Sequence, residues 1–287
     1  MKKISEKAMF AVFLISALAS VCAVLLICVF LFANGIPAMH KVGLFKFLLG
    51  KNWSPTDIPP EYGILPMILG SIYVTAGAII IGVPIGLLTA VFMARYCPKQ
   101  LYRVLSPASE LLAGIPSIVY GFFGMVVIAP VVKQLFGGKG AFSMLTASIL
   151  LGIMILPTII SVSEVALRSV PENYFEGALA LGATKERSIF SVVLPAAKSG
   201  VLAGVILGIG RAIGETMAVI MVCGNQPRMP AGILKGVRTM TANIVTEMGY
   251  AQDLHREVLI ATGVVLFVFI LLINLLFSAV VSRGGKK

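Results

Sequence analysis

Two ionisable residues, Arg211 and Glu215, lie four positions apart in the segment IGRAIGETMAVI, inside a stretch from residue 200 to 222 that carries no other charged side chain. An arginine at the centre of a membrane helix costs about 2.5 to 3.5 kcal/mol on insertion scales, so such residues usually face a bundle interior or a solute path. On one continuous helix the two side chains would lie one turn apart, and they could simply neutralise each other. Both interpretations are open, and we favour the solute path.

The composition is that of a membrane protein. Hydrophobic residues make up 58% of the 287 residues, charged residues 12%, and the mean hydropathy is +0.99. Six apolar runs are long enough to span about 30 Å of hydrocarbon. They cover residues 8–33, 64–94, 108–132, 143–165, 200–222 and 257–281. The sequence therefore predicts an all-α integral membrane protein with six transmembrane helices.

The N-terminal run follows Met1, Lys2 and Lys3 and has no clean small-residue cleavage site, so we expect a retained helix rather than a signal peptide. Residues 1–63 would then form this helix and an outer loop. Lysine and arginine are moderately enriched on one set of alternate loops, which predicts a cell membrane protein with both termini in the cytoplasm. The net charge of +11 is explained by contacts with membrane lipid and requires no nucleic acid.

Cysteine and histidine give no sign of a metal or redox site. The four cysteines form no CxxC motif, and His40 and His255 are far apart in the sequence. We expect both histidines to be ordinary loop residues, and we expect neither a metal nor a cofactor.

Glycine and proline indicate where helices pack closely and where one is broken. Gly82–Gly86, Gly204–Gly208 and Gly210–Gly214 each have the GxxxG spacing that lets helix backbones approach in lipid. The segment AGIPSIVYG combines Gly114, Pro116 and Ser117, which favours a helix break; a simple kink is the alternative. Such breaks persist in lipid only where the freed backbone groups are buried in protein or line a cavity.

The segment 166–199 is predicted to form two short amphipathic helices at the membrane face. The first has an apolar face and a glycine stop at Gly182, and the second ends near Pro195. The apolar face comprises Tyr174, Phe175, Ala178, Leu179 and Leu181. Two such helices at a membrane face are typical of a docking element for another protein.

The same segment resembles the cytoplasmic signature of the membrane subunits of binding-protein-dependent ABC importers. That signature runs Glu-Ala-Ala, three residues, Gly, nine residues, then Ile-x-Leu-Pro. Here it reads Glu176-Gly177-Ala178, then Gly182, then Val192, Leu194 and Pro195, with Gly177 and Val192 as mild departures. The stretch from Tyr62, the segment AGIPSIVYG and the segment GRAIGETMAVI are similar to the phosphate-specific branch of this family. The likeness covers about residues 45 to 280.

The resemblance implies a MetI-like permease core over residues 64–287, with 166–199 as its coupling loop. It also implies a PstA-like partner permease, two PstB-like ATPase subunits, an external phosphate-binding protein, and inorganic phosphate as the substrate. ATP hydrolysis would belong to the ATPases, since the sequence has no G-x-x-x-x-G-K-[ST] loop. The residues expected to couple to the ATPase are Tyr174, Phe175, Glu176, Ala178, Gly182, Leu194 and Pro195. Arg211 would offer a planar guanidinium to the oxyanion, and Glu215 would restrain it.

Other functions remain open at this point. The chain could carry a different oxyanion, could be a secondary transporter or channel with Glu215 as its proton or ion site, or could be a sensor without transport. The docking loop favours the ABC permease, because a stand-alone secondary transporter does not need one. In the predicted outer loop, Arg228, Lys235, Arg238 and Arg256 are expected on the external face, either solvated or touching the binding protein.

Overall fold

The computed structural model describes residues 2–284, with side chains for Glu6, residues 9–276 and Ala279. The described chain is helical apart from loops and one two-stranded antiparallel hairpin. The helices are α1 Lys2–Val42, α2 Leu44–Leu49, α3 Leu65–Val91, α4 Lys99–Gly114, α5 Ser117–Phe123, α6 Ala129–Leu135, α7 Met144–Arg168, α8 Glu172–Ala180, α9 Lys185–Ser188, α10 Leu194–Ala196, α11 Lys198–Gly214, α12 Met217–Val222, α13 Met240–Glu247 and α14 Asp253–Gly284. Three π-helical segments, π1 Phe92–Tyr96, π2 Gly124–Ile128 and π3 Ile189–Val193, continue α3, α5 and α9, and the hairpin strands are β1 Trp53–Ser54 and β2 Glu61–Tyr62.

Five helical stretches of the described chain are long and apolar enough to cross a membrane. They are Met9–Val42, Leu65–Tyr96, Ser117–Leu135, Met144–Arg168 and Asp253–Leu276. A sixth span is present if Lys185–Ala196 and Lys198–Gly214, which meet at a 72° bend, are counted as one bent pair. The mostly helical membrane architecture predicted from the sequence is therefore confirmed.

Three of the predicted spans have different bounds in the structure. The first helix is longer than the predicted 8–33, because the helical backbone continues to Val42. The predicted span 108–132 is divided, since α4 ends at Gly114 and the membrane-length helix begins at Ser117. The predicted continuous helix 200–222 is wrong, because α11 ends at Gly214 and α12 begins at Met217.

The core of the bundle forms where α3 and α11 both pack against α7. Gly82 and Gly86 of α3 approach the side chains of Ile155 and Ile159 on α7. On α11, Gly204 and Gly208 approach α7 in the same way. The close packing predicted for these two glycine pairs is confirmed. A glycine at each contact lets the backbones approach to a distance that a larger side chain would prevent.

The helix α1 lies at the edge of the bundle. It packs along α14, with the rings of Phe32 and Phe267 in an edge-to-face arrangement at 6.0 Å. None of the residues in its most apolar window is buried. A surface of this kind is suited to lipid, since apolar side chains facing hydrocarbon have no need of protein neighbours.

We predict that Gly82→Ala destabilises the bundle, because a Cβ at this position would lie 2.7 Å from the Ile155 side chain and 2.8 Å from the Gly152 carbonyl oxygen. Overpacking of a core costs about 1 to 3 kcal/mol. The matched control is Gly263→Ala on α14, where the new methyl group would meet only Leu31 at 3.5 Å. Both changes gain the same helix propensity, so the difference between their melting temperatures in detergent reports the clash. Equal melting temperatures would contradict this packing.

Candidate functional site

The first helix break lies between α4 and α5. Ile115 and Pro116 have extended backbone, with ψ values of 127° and 140°, and α5 begins at Ser117. Proline disfavours helical backbone in the residue before it and has no N–H to donate, which explains why the helix stops here. The hydroxyl of Tyr120 donates to the carbonyl oxygen of Leu112 at 2.7 Å, across the break. One carbonyl freed by the break is thus satisfied within the chain.

The second break follows Gly214 and corrects the prediction that Arg211 and Glu215 share one helix face. Glu215 has extended backbone with ψ 135°, so its side chain does not continue the face that carries Arg211. Its carboxylate accepts from the backbone N–H of Ala218 at 3.2 Å and so caps α12. Its carbonyl oxygen accepts from the hydroxyl of Thr241 at 3.0 Å. Both the carboxylate and the carbonyl of Glu215 are therefore engaged at the break.

Arg211 lies in the last turn of α11, just before this second break, and is partly buried. Its Nη1 donates to the hydroxyl of Thr158 on α7 at 3.5 Å, a long hydrogen bond. No carboxylate in the described part of the chain lies within ion-pair distance of it. Direct neutralisation by Glu215 is thus absent from this structure, and Arg211 carries a charge that the described chain does not compensate.

The two broken helices are neighbours. A Cβ placed on Gly121 of α5 would lie 3.0 Å from the Cα of Ala218 on α12, and one on Gly124 would lie 2.9 Å from the side chain of Val222. The contacting residue numbers increase together along the two segments, so the half-helices α5 and α12 run parallel. Each begins immediately after a break, and the two breaks therefore lie toward the same end of this helix pair.

Glycines beside the breaks face open space. A Cβ at Gly114, Gly210 or Gly214 would have no atom of the described chain within 4 Å, apart from its own neighbours. The predicted close packing of the Gly210–Gly214 pair is therefore absent within this chain. The glycines next to Arg211 contribute no side chain to this surface, so it is accessible from outside the protein.

The predicted docking segment forms the two helical stretches that the sequence indicated. The first, α8, ends in a Schellman motif, in which Gly182 donates to the carbonyl of Leu179 at 2.9 Å and Ala183 donates to that of Ala178 at 3.1 Å. Gly182 has a φ of +83°, a left-handed conformation that glycine adopts without strain. Thr184 then caps α9 by accepting from the backbone N–H of Arg187.

The seven predicted coupling residues fall into two groups, one partly buried within the chain and one exposed. Phe175 and Leu194 are partly buried against a cluster of the chain's own apolar residues, among them Leu167 and Ile189. Ala178 is also partly buried. The exposed ones are Tyr174, Glu176, Gly182 and Pro195. Leu181, which precedes the glycine, is 91% exposed. The surface that a partner could reach is thus smaller than the sequence suggested.

A buried ionic network on the opposite face overturns two expectations. Glu247, at the end of α13, is 5% exposed and accepts both Trp53 Nε1 and a guanidinium N–H of Arg238. His255 Nε2 lies 2.8 Å from the same carboxylate. Arg238 is therefore not a solvated outer charge, and His255 is not an ordinary loop residue. By contrast, Arg228, Lys235 and Arg256 are exposed as expected.

This network fixes the hairpin onto α13 and α14. Trp53 and Tyr62 pair across the hairpin and are buried with residues of α14, including Val258 and Leu259. Burial raises the pKa of Tyr62, and burial with the nearby Glu247 carboxylate raises the pKa of Tyr250, so both phenols stay neutral well beyond neutral pH. No motif in the sequence indicates this cluster, since its members come from three separate segments.

Solved transporter structures share this fold. A chain of a bacterial alginate ABC transporter, crystallised with an alginate pentasaccharide-bound periplasmic protein, superposes with a TM-score of 0.66 over 94% of each chain, at 15% identity. A chain of the inward-facing MetNI methionine ABC transporter superposes with a TM-score of 0.62, covering 77% of this chain and 95% of that one, at 21% identity. Identities this low establish the fold alone.

Curated relatives are similar over most of their length. The probable ABC transporter permease protein YqgH of Bacillus subtilis (strain 168) is 40% identical, over 91% of this chain and 87% of the relative. The phosphate transport system permease protein PstC of Mesorhizobium japonicum is 37% identical, over 85% and 80%. A probable PstC of Methanocaldococcus jannaschii is 32% identical, over 86% and 84%. Residues 82–284 also match the model of one family, and the chain belongs to it: the inner membrane components of binding-protein-dependent transport systems.

Proposed function

We propose that this chain is one of two permease subunits of an ATP-driven phosphate importer. Two lines of support converge. Relatives at 32 to 37% identity, from bacteria and an archaeon, bear the name phosphate transport system permease protein. The membrane region also holds an arginine beside a helix break, which suits an anionic substrate.

The observation that carries the proposal is the uncompensated charge of Arg211. A partly buried guanidinium in a membrane segment is costly, and no carboxylate of the described chain offsets this cost. Its single hydrogen bond within the described chain leaves several N–H groups for an oxyanion, which a planar guanidinium binds well. Glu215 is held by its own contacts at the break and leaves Arg211 free to meet the substrate.

The second permease, expected to be PstA-like, would cover the open surface beside Arg211. The glycines Gly114, Gly210 and Gly214 lie beside the two breaks, and a Cβ on any of them would meet nothing within 4 Å in the described chain. Close helix packing in membranes relies on such small residues. Phosphate would then cross between the two subunits, past the breaks at Pro116 and Glu215. A second cation from the partner is expected, because one arginine is insufficient for a dianion.

Two PstB-like ATPase subunits and an external phosphate-binding protein would complete the importer. The exposed part of α8 and the turn after it, with Tyr174, Glu176, Leu181 and Gly182, would enter a groove on the ATPase. The segment 166–199 and both termini would then lie in the cytoplasm. The hairpin and α13 would then face outward, toward the binding protein, while the apolar edge of α1 meets lipid.

We predict that Arg211→Gln strongly lowers the rate of phosphate uptake by assembled complexes in vesicles. Loss of a hydrogen bond to a charged group costs about 1.5 to 3 kcal/mol, which corresponds to a rate decrease of roughly 10- to 150-fold. Arg211→Lys keeps the charge but loses the planar fork, so it should retain partial uptake. The measurement is uptake of labelled phosphate, with labelled sulfate and arsenate run in parallel to identify the oxyanion.

The matched control is Arg103→Gln, an exposed arginine on the cytoplasmic helix α4, which should transport at the parental rate. Near-normal phosphate uptake by a well-assembled Arg211→Gln complex would refute the substrate-path assignment. Selective uptake of sulfate by the parental complex would keep the permease function and replace the substrate.

We also predict that Gly182→Leu uncouples ATP hydrolysis from uptake or prevents assembly with the ATPase. A Cβ here would touch nothing in this chain, so the strain arises from the φ of +83°, which costs a non-glycine residue about 1 to 2 kcal/mol. Gly182→Asn tolerates this backbone and serves as the control. Parental assembly and transport by Gly182→Leu would show that this turn has no part in docking.

A further inference from the structure

Arg95 is a nearly buried arginine at the cytoplasmic end of α3, in the segment π1. Its side chain is 10% exposed, although its position at the end of the span would allow it to extend into water. A guanidinium that is withdrawn from water must be matched by acceptors if the arrangement is to persist. Its contacts therefore show which elements it holds together.

The acceptors of Arg95 come from the end of α7, the linker 169–171 and the beginning of α8. Nη1 lies 2.6 Å from a carboxylate oxygen of Glu172, in the first turn of α8. Nη2 donates to the carbonyl oxygens of Leu167 at 3.0 Å and of Val170 at 3.4 Å. The ring of Phe175 lies 6.0 Å from the guanidinium carbon. One side chain of α3 thus contacts α7, the linker and α8 at once.

A second arginine makes the reciprocal contact between α7 and α3. Arg168, the last residue of α7, donates from Nη2 to the carbonyl oxygen of Met93 at 2.8 Å. In π1 the N–H of Cys97 donates to the carbonyl oxygen of Phe92, five residues back, and so does not donate to that of Met93. The next residue, Pro98, has no N–H that could donate to the Met93 carbonyl oxygen. The arginine satisfies this freed carbonyl. The ends of α3 and α7 are therefore joined twice, once from each helix.

Contacts with the second half of the docking segment reinforce this arrangement. The ammonium of Lys185, at the start of α9, lies 4.6 Å from the ring centroid of Tyr96 in π1. Behind it, Val91 of α3, Leu167 of α7 and Ile189 belong to one buried cluster. The linker 169–171 contains only three residues, and Arg95 binds one of its carbonyls, so little slack remains between α7 and α8.

We infer that Arg95 is a positioning residue that fixes α8 to the ends of α3 and α7, so that a displacement of α8 passes to these two membrane helices. Without Arg95, the same displacement would be absorbed in the linker. The inference rests on the proposed docking of α8 to an ATPase. It assigns to Arg95 a mechanical contact with no role in binding the substrate.

The test measures the distance between α8 and α3 in the assembled complex, with and without ATP. Spin labels are attached at Asn173, exposed on α8, and Leu88, exposed on α3, after the four native cysteines are replaced by serine. The parental complex should give one narrow distance distribution that is the same in both states. Arg95→Gln should broaden it when ATP is added, because α8 then moves without α3.

A second readout is the amount of phosphate taken up per ATP hydrolysed. In Arg95→Gln this ratio should fall by about fivefold or more, the lower end of coupling effects between sites, while the ATPase rate is retained. Arg103→Gln is the matched control, since Arg103 lies exposed on α4, outside the docking segment, and has no ion pair within the described chain. It should change neither readout.

The outcomes separate the inference from the proposed function. If the parental complex takes up no phosphate, the proposed substrate is wrong, but the distance measurement still tests Arg95. If Arg95→Gln lowers only thermal stability and leaves the distances and the coupling ratio unchanged, Arg95 is a packing residue and the inference is wrong. If that variant does not assemble, Glu172→Gln carries the test, and an unchanged distance distribution there would overturn the inference.

Discussion

A helix that is interrupted within a membrane must find new partners for the backbone groups that the interruption frees, because lipid offers none. In this protein hydroxyl groups and one carboxylate fill that need. Tyr120 satisfies a carbonyl above the first break, and Thr241 satisfies the carbonyl of Glu215 at the second. The carboxylate of Glu215 satisfies an N–H of α12. Irregular backbone can exist at this depth because each of these polar groups is matched.

The same requirement separates Arg211 from Glu215. On a continuous helix the two would lie one turn apart and pair. Because Glu215 serves as the cap of α12, its carboxylate is turned to backbone, and within the described chain Arg211 keeps only the hydrogen bond to the hydroxyl of Thr158. The cost of the break is offset by Glu215. In the proposed importer, the structural role therefore falls on Glu215 and the contact with the anion on Arg211.

How far the sequence could predict these features depends on how local each cause is. The break at Pro116 follows from a rule about proline and its preceding residue, so it could be read directly. The break at Glu215 has no proline, and it depends on Thr241, which lies 26 residues further along the chain. Likewise, the GxxxG spacing could not distinguish Gly82 and Gly86, which pack on α7, from Gly210 and Gly214, which face open space.

The network around Glu247 was also missed, yet it bears on the site. Trp53 lies 194 residues from Glu247 in the sequence, and the nearer Arg238 and His255 lie on either side of α13, so their spacing does not indicate a shared carboxylate. These residues hold the C-terminal end of α13, and Thr241 near its N-terminal end holds the carbonyl of Glu215. The short helix α13 therefore links the hairpin to the second break. Any movement of the hairpin that displaces α13 withdraws a hydroxyl from a backbone carbonyl at membrane depth, where water cannot easily replace it. The backbone geometry next to Arg211 therefore depends on how the hairpin packs against α13.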